Sequence, residues 1–210
     1  MIFDAIRQGD VAEVRALLAA DPRRADERTP DGATTVLWAA YTRHAELAEL
    51  LLAGRAPDFF EACARGDEER AGELLAANRG LAAVHSADGF TGLGLAAFFG
   101  HREVARLALA AGADPNQASR NALHVTPLHS ACSGGHRAVA ELLLRSGADP
   151  NAIESSGMTP LHTAAGNGNR QLAACLLAAG AERARRSLDG RTPAGVARDY
   201  GHASLAVELD

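Results

Sequence analysis

The chain has 210 residues, a formal net charge of −5, 47% apolar residues and only 4% aromatic residues, which suits close packing of short helices. No apolar run approaches the ~18–20 residues of a membrane span, and the negative charge disfavours nucleic acid as a partner. Residues 1–10 lack a basic segment followed by an apolar core, and the three cysteines are odd in number. We therefore expect no secretory signal, and free thiols in a reducing, cytoplasmic compartment.

The N-terminal half contains an internal duplication. Residues 3–32 and 60–89 align without gaps at an offset of 57, which pairs Phe3 with Phe60, Gly9 with Gly66 and Asp31 with Asp88. A fixed internal period indicates stacked supersecondary units. We predict two copies of a block that holds two helical pairs.

The connection between Leu52 and Phe59 is unusually short, with about ten residues fewer than the other junctions. We predict a continuous helical stack in which the projecting loop near 54–59 is missing, leaving a notch in the row of loops. An interdomain linker is the alternative, but six residues with one Pro and one Gly are too few for one.

Residues 92–97, Gly-Leu-Gly-Leu-Ala-Ala, have the spacing of a dinucleotide-binding fingerprint. That motif needs a preceding buried strand and a phosphate at the helix start. Here it is in register with the repeated motif described next, so Gly92 and Gly94 replace residues of that motif. We expect no cofactor.

The segment Thr126-Pro127-Leu128-His129 recurs 33 residues later as Thr159-Pro160-Leu161-His162 and, eroded, at 192–195. Thr is a good N-cap, and Pro at the first helical position lacks only a donor that would be unpaired there. Each copy therefore predicts a helix start. A small-residue pair follows, then a Gly such as Gly135 that can adopt a left-handed helix cap, then a second apolar-periodic stretch. Leu128 and Leu161 are predicted to be interior.

These motifs resemble those of ankyrin-repeat proteins, most closely at 126–136, 142–151 and 159–169. The resemblance implies an all-α solenoid of helix-turn-helix units with projecting β-hairpin-like loops. Working outward from the small pairs gives a single domain of seven units, at 1–28, 29–58, 59–85, 86–118, 119–151, 152–184 and 185–210. The 21 basic residues include no lysine, which fits a GC-rich bacterial gene.

The sequence also contains weak signals for a metal site and for an anion-binding patch. His129, Cys132 and His136 have a spacing that could suggest a metal, but Gly135 ends the helix before His136, and the resemblance gives both histidines structural roles. The basic residues of 183–191 alternate with Glu182 and Asp189, which favours a solvated loop over an anion-binding patch. We expect no metal.

The resemblance implies a concave groove that binds partner proteins, lined by loop bases and by the two positions after each small pair. The predicted partner-binding residues are Tyr41, Phe90, Phe98, Phe99, Ser133, Met158, Asn167 and Tyr200. Aromatic residues on an open surface suggest anchors for a partner. The alternative is that Phe98 or Phe99 turns inward. Trp38 and Leu95 are predicted to be core.

The sequence therefore predicts a monomeric, non-enzymatic module that binds another protein. A second hypothesis is a regulatory or immunity-type subunit that masks a neighbouring enzyme or toxin. A cryptic enzyme is the third, and it predicts a deep pocket with convergent titratable groups.

Overall fold

The structure, a computed structural model, describes residues 1–52 and 54–210; Ala53, part of the short connection, lies outside them. The described residues form fourteen α-helices and no β-strand, which confirms the all-α prediction. The helices are α1 Ile2–Gln8, α2 Val11–Ala20, α3 Thr35–Tyr41, α4 Ala45–Leu52, α5 Phe59–Arg65, α6 Glu68–Ala77, α7 Gly92–Phe99, α8 Arg102–Ala110, α9 Pro127–Gly134, α10 Arg137–Arg145, α11 Pro160–Gly166, α12 Arg170–Ala178, α13 Pro193–Asp199 and α14 Ala203–Leu209.

Consecutive helices pair, and the pairs stack in one file. Every odd-numbered helix packs on the next odd-numbered one, from α1 to α13. A second row forms where α2 packs on α4, and α6, α8, α10 and α12 follow one another. Each short helix buries one face against its neighbours, because helices of this length are marginal alone and depend on tertiary packing.

The local signals place the helix ends as predicted. The Thr126 hydroxyl caps α9, and the Thr159 hydroxyl and the His162 ring form a capping box at α11. Gly135 ends α9 at φ 77°, in the left-handed region that favours glycine. At α5 the cap is instead a carboxylate box: Asp58 accepts from the Glu61 N–H, and the Glu61 carboxylate accepts from the Asp58 N–H.

The 57-residue duplication extends further than the aligned sequences. Helices α1 to α4 recur as α5 to α8 at that offset. A 3₁₀ turn at Pro22–Asp26 recurs at Arg79–Ala83, and a β-bridge between Arg28 and Thr34 recurs between His85 and Thr91. The two blocks are thus structural copies, joined by the short connection.

The projecting loops have hairpin-like hydrogen bonds. In the loops around 29, 86, 154 and 187, a backbone N–H donates to the carbonyl four residues later, as Ser86 does to Phe90. Residues 54–58 carry no such loop, as predicted. The notch, however, is filled: a Cβ on Gly32 would lie 2.8 Å from the Ala87 carbonyl oxygen, so the flanking loops touch.

The core follows the stack. Leu128 and Leu161 are fully buried, which confirms their predicted positions. Most of the buried apolar residues fall into two clusters, one between Ile2 and Leu52 and a larger one that begins at Ala33 and reaches Leu209. Among the described helices none is long and apolar enough to cross a bilayer.

Candidate functional site

Four of the predicted aromatic residues form one cluster in the groove. The Tyr41 ring stacks on the Phe99 ring at a centroid distance of 5.7 Å and lies 6.3 and 6.4 Å from the Phe98 and Phe90 rings. Tyr41 ends α3 and the phenylalanines belong to the unit of α7, so the contacts cross over the intervening helix α5. Phe98 remains 37% exposed, whereas Phe99 is half-buried.

A hydrogen bond locks Tyr41 in this position. Its hydroxyl donates to the Asp88 carboxylate at 2.8 Å. The same carboxylate accepts from the Ser86 hydroxyl, and the Asn121 side chain donates to the Asp88 backbone carbonyl. Burial, and then the negative charge of Asp88, raise the pKa of Tyr41. The phenol therefore stays protonated and donates at any physiological pH.

Beside the aromatic cluster lies a cavity of about 310 Å³, which we call the groove cavity. Its walls are mostly apolar, and two carboxylates and two serines line it as well. The lining residues are Asp31, Ala33, Trp38, Tyr41, Asp88, Phe90, Gly94, Leu95, Phe98, Leu123, Val125, Ser130 and Ser133. They come from three helices, α3, α7 and α9, and from the loop before each of them, so the cavity exists only in the assembled stack.

Three departures from the regular repeat meet at this cavity. The missing loop before α5 lets Tyr41 and Asp31 reach the unit of α7. Gly94 takes the position in its unit that His129 takes in a regular unit, so no side chain projects from this position into the cavity. The small pairs at Ala96 and Ala131 are 35 residues apart rather than 33, and the longer loop carries Leu123, whose side chain is 53% exposed.

The Gly-x-Gly spacing has a packing explanation. A Cβ on Gly92 would lie 2.4 Å from the Phe59 ring, so the glycine makes room for the phenylalanine of the preceding unit. The residue before α7 is Thr91, which caps the helix after a loop rather than after a strand. The geometry thus assigns Gly92 to packing between units and Gly94 to the floor of the cavity.

The remaining predicted residues lie apart from the cluster. Ser133 is among the residues that line the cavity, whereas Met158 and Asn167 are not. The Met158 carbonyl accepts from the His129 ring, and the Asn167 amide donates to the Cys132 carbonyl. Tyr200 is 65% exposed on the last unit. The prediction that Trp38 is core was wrong: one side of its ring packs on Phe3, but the ring also borders the open cavity and is therefore only half-buried.

Sequence reasoning missed several cavity residues. Asp31 and Asp88 are related by the 57-residue offset, and this symmetry was the available signal for them. Leu123 could have been found from the longer spacing before Ala131. Nothing in the linear sequence placed these residues against Tyr41, since that contact depends on the curvature of the stack.

The basic segment 183–191 is engaged within the chain. Arg183 donates to the Glu208 carbonyl, Arg185 pairs with Glu182, and Arg186 donates to the Gly190 carbonyl. Arg191 pairs with Asp189 and Asp199. These contacts favour the solvated-loop interpretation over an anion-binding patch.

Two family models match the chain. One, described as ankyrin repeats (3 copies), matches residues 59–154. The other, described as ankyrin repeats (many copies), matches residues 139–177. Together the matches extend over more than half of the sequence. No curated protein matched it.

Proposed function

Since this chain belongs to the ankyrin-repeat family, whose members are generally protein–protein interaction modules, we propose that it binds a partner protein through the groove cavity. The partner places an apolar side chain between Phe98 and Leu123. The other aromatic residues of the cluster form the wall behind that anchor.

The observation that supports this proposal is the convergence of the three repeat irregularities on one apolar cavity. A regular stack would place a histidine at the position of Gly94 and a loop beside Tyr41. Here a glycine takes the place of the histidine, and the loop is missing. Phe98 and Leu123 remain solvent-exposed, although burying either side chain would be favourable. Exposed apolar residues that rim a cavity are typical of interaction sites.

Hydrogen bonds hold the walls of the cavity in place. Tyr41 is held by Asp88, and the longer loop is fixed by its neighbours, because Arg120 N–H donates to the Gly89 carbonyl and Ser155 N–H donates to the Leu123 carbonyl. A preorganised surface loses less conformational entropy on binding than a flexible one. The stack therefore contributes to affinity by holding the anchor site open.

Capture from an extract of the source cells tests the proposal. The immobilised chain is compared with Phe98→Ser and Leu123→Ser. The matched control is Ile153→Ser, because Ile153 is 48% exposed on the next loop but lies outside the cavity. We expect proteins that the wild type and the control retain, and that both cavity variants lose by tenfold or more, since central anchors cost ~2 kcal/mol or more when truncated.

Equal retention by all four proteins would contradict the proposal. Circular dichroism of each variant checks that the helices are intact. If a retained protein is an enzyme or toxin whose activity falls on binding, the function narrows to a regulatory or immunity-type subunit.

A further inference from the structure

We propose that the groove cavity selects a partner segment in which a cationic residue, Arg or Lys, lies next to the apolar anchor. This inference rests on the proposed function and specifies the partner's chemistry. It follows from the distribution of charge: two carboxylates line the groove cavity, whereas the arginines line a second cavity next to it.

Two carboxylates line the cavity without a cation to neutralise them. Asp31 and Asp88 take part in none of the ion pairs of the described residues. The Asp88 carboxylate accepts from the hydroxyls of Tyr41 and Ser86, which are neutral donors. These bonds fix its position but leave its charge uncompensated.

Three basic side chains lie near the two carboxylates but outside the groove cavity. The Arg28 guanidinium donates to the Gly32 carbonyl. Arg120 and His85 line a separate crevice of about 570 Å³ that the two carboxylates also border. The His85 ring bonds to the Ala118 carbonyl. None of these three residues lines the groove cavity itself.

A region of positive charge lies near the turns that follow α3, α5 and α7. A second cavity of about 300 Å³ is lined by Arg43 and Arg65 and by a single carboxylate, that of Glu49, which pairs with Arg65. Phe99 lines this second cavity, and its ring stacks on Tyr41, which lines the groove cavity. A partner's cation is therefore attracted to the loop end, where the carboxylates are, and repelled from the turn end.

These charges decide which partner fits. Covering a carboxylate with a partner costs solvation free energy unless an opposite charge replaces the water. An acidic segment would add like-charge repulsion, whereas Arg or Lys also interacts favourably with aromatic faces such as those of Trp38 and Tyr41. The apolar volume takes the neighbouring aliphatic or aromatic side chain, and about 310 Å³ is at the small end of ligand cavities.

Selection from a random peptide library displayed on phage tests this inference without knowledge of the natural partner. The library is selected in parallel on the wild type, Asp31→Asn and Glu69→Gln. Asp31 is exposed at the cavity, and Glu69 is exposed on α6, so both variants remove one negative charge from the surface. We expect wild type and Glu69→Gln to enrich peptides that pair Arg or Lys with a neighbouring apolar residue.

Asp31→Asn should keep the apolar preference and lose part of the cation preference. For the best peptide we expect Asp31→Asn to weaken binding ~3-fold, as for an exposed ion pair, and Glu69→Gln to leave it unchanged. Binding should also weaken as salt is added, because rim charges are screened.

The outcomes separate the two proposals. Peptides without basic residues, whose binding still requires Phe98 and Leu123, would overturn this inference and leave the proposed function intact. Peptides that bind Phe98→Ser and Leu123→Ser as well as the wild type would overturn both. Enrichment of no peptide over the uncoated surface would also overturn both, and would point to a small ligand or a second copy of the chain.

Discussion

The repeats from residue 126 onward and the junction before α5 connect neighbouring units by different chemistry. In the former, the ring Nδ1 atoms of His129 and His162 bond to the Thr126 and Thr159 hydroxyls, each at 2.9 Å. Their Nε2 atoms donate forward to the Met158 and Arg191 carbonyls at 3.2 and 3.1 Å. Both acceptors are carbonyls at the base of the next loop.

The junction before α5 has no such loop, and the connection runs backward. Glu61 takes the histidine position, is fully buried, and accepts from the Thr34 hydroxyl of the preceding unit at 3.0 Å. The Arg55 guanidinium, from the short connection itself, pairs with it at 2.7 and 2.8 Å. Where a loop is present, it supplies neutral carbonyl acceptors; where it is missing, the junction relies on an ion pair between the buried Glu61 and the partly exposed Arg55.

The regular half should lose most from a cavity in its core. Leu128→Ala removes a fully buried side chain, and we expect a loss of ~2–5 kcal/mol in the free energy of unfolding, since the packed surroundings collapse only partly. Urea denaturation measures it. Leu188→Ala, at an 81% exposed loop residue, is the control. A loss below ~1 kcal/mol for Leu128→Ala would be incompatible with its position.

Removing the ion pair should break the junction. Glu61→Ala leaves the Arg55 charge without its partner, and we expect a loss of ~3 kcal/mol, at the lower end for buried pairs because Arg55 is 39% exposed. Adding Arg55→Ala should recover part of the loss. The Glu61 carboxylate bonds to Thr34 at the start of α3, so hydrogen exchange should accelerate in α1–α4, which α3 joins to α5, more than in the distant helices α9–α14. Equal acceleration in both regions would refute the distinction.

Two glycines in the turns between paired helices differ in how closely the next unit packs on them. Gly100 and Gly135 both have positive φ, 83° and 77°, so alanine costs ~1–2 kcal/mol at either. At Gly100 the new Cβ would also lie 2.5 Å from the His136 ring, whereas at Gly135 the nearest such atom is 3.7 Å away. Urea denaturation should therefore show a larger loss for Gly100→Ala. The reverse order would mean that His136 does not pack there.

The smallest expected effect is a difference in pH dependence between the histidine contacts of the regular repeats and the Glu61–Arg55 pair of the junction. Burial lowers the pKa of His129 and of His162, so the unfolded chain takes up their protons first. Their contribution is complete above about pH 6.5 and falls as the pH drops below it. Burial alone would raise the pKa of Glu61, but Arg55 holds it below the usual 4.5, so the junction weakens only at lower pH.

Urea denaturation between about pH 8 and pH 5 checks this. The variant His129→Gln with His162→Gln should lose stability less steeply than the wild type on acidification. Burial also lowers the pKa of His101, so a residual slope is expected. An unchanged slope would contradict the assignment of neutral rings to these two positions.

Much of the architecture could be predicted from short segments. The Thr-Pro pairs predicted helix starts, Gly135 predicted a helix end, and the offset of 57 predicted the two copies of a block with two helical pairs. The missing loop was predicted, but its filling by the contact between Gly32 and Ala87 was not. That contact depends on how α3 and α7 pack on either side of α5.

The repeat period, the helix starts and core positions such as Leu128 and Leu161 follow from the sequence alone, because caps, turn glycines and apolar periodicity act within a few residues. The tertiary structure decided which aromatic rings meet and where the cavity lies. Tyr41 and Phe98 are two units apart, so their distance depends on the curvature of the whole stack, to which every inter-unit contact contributes.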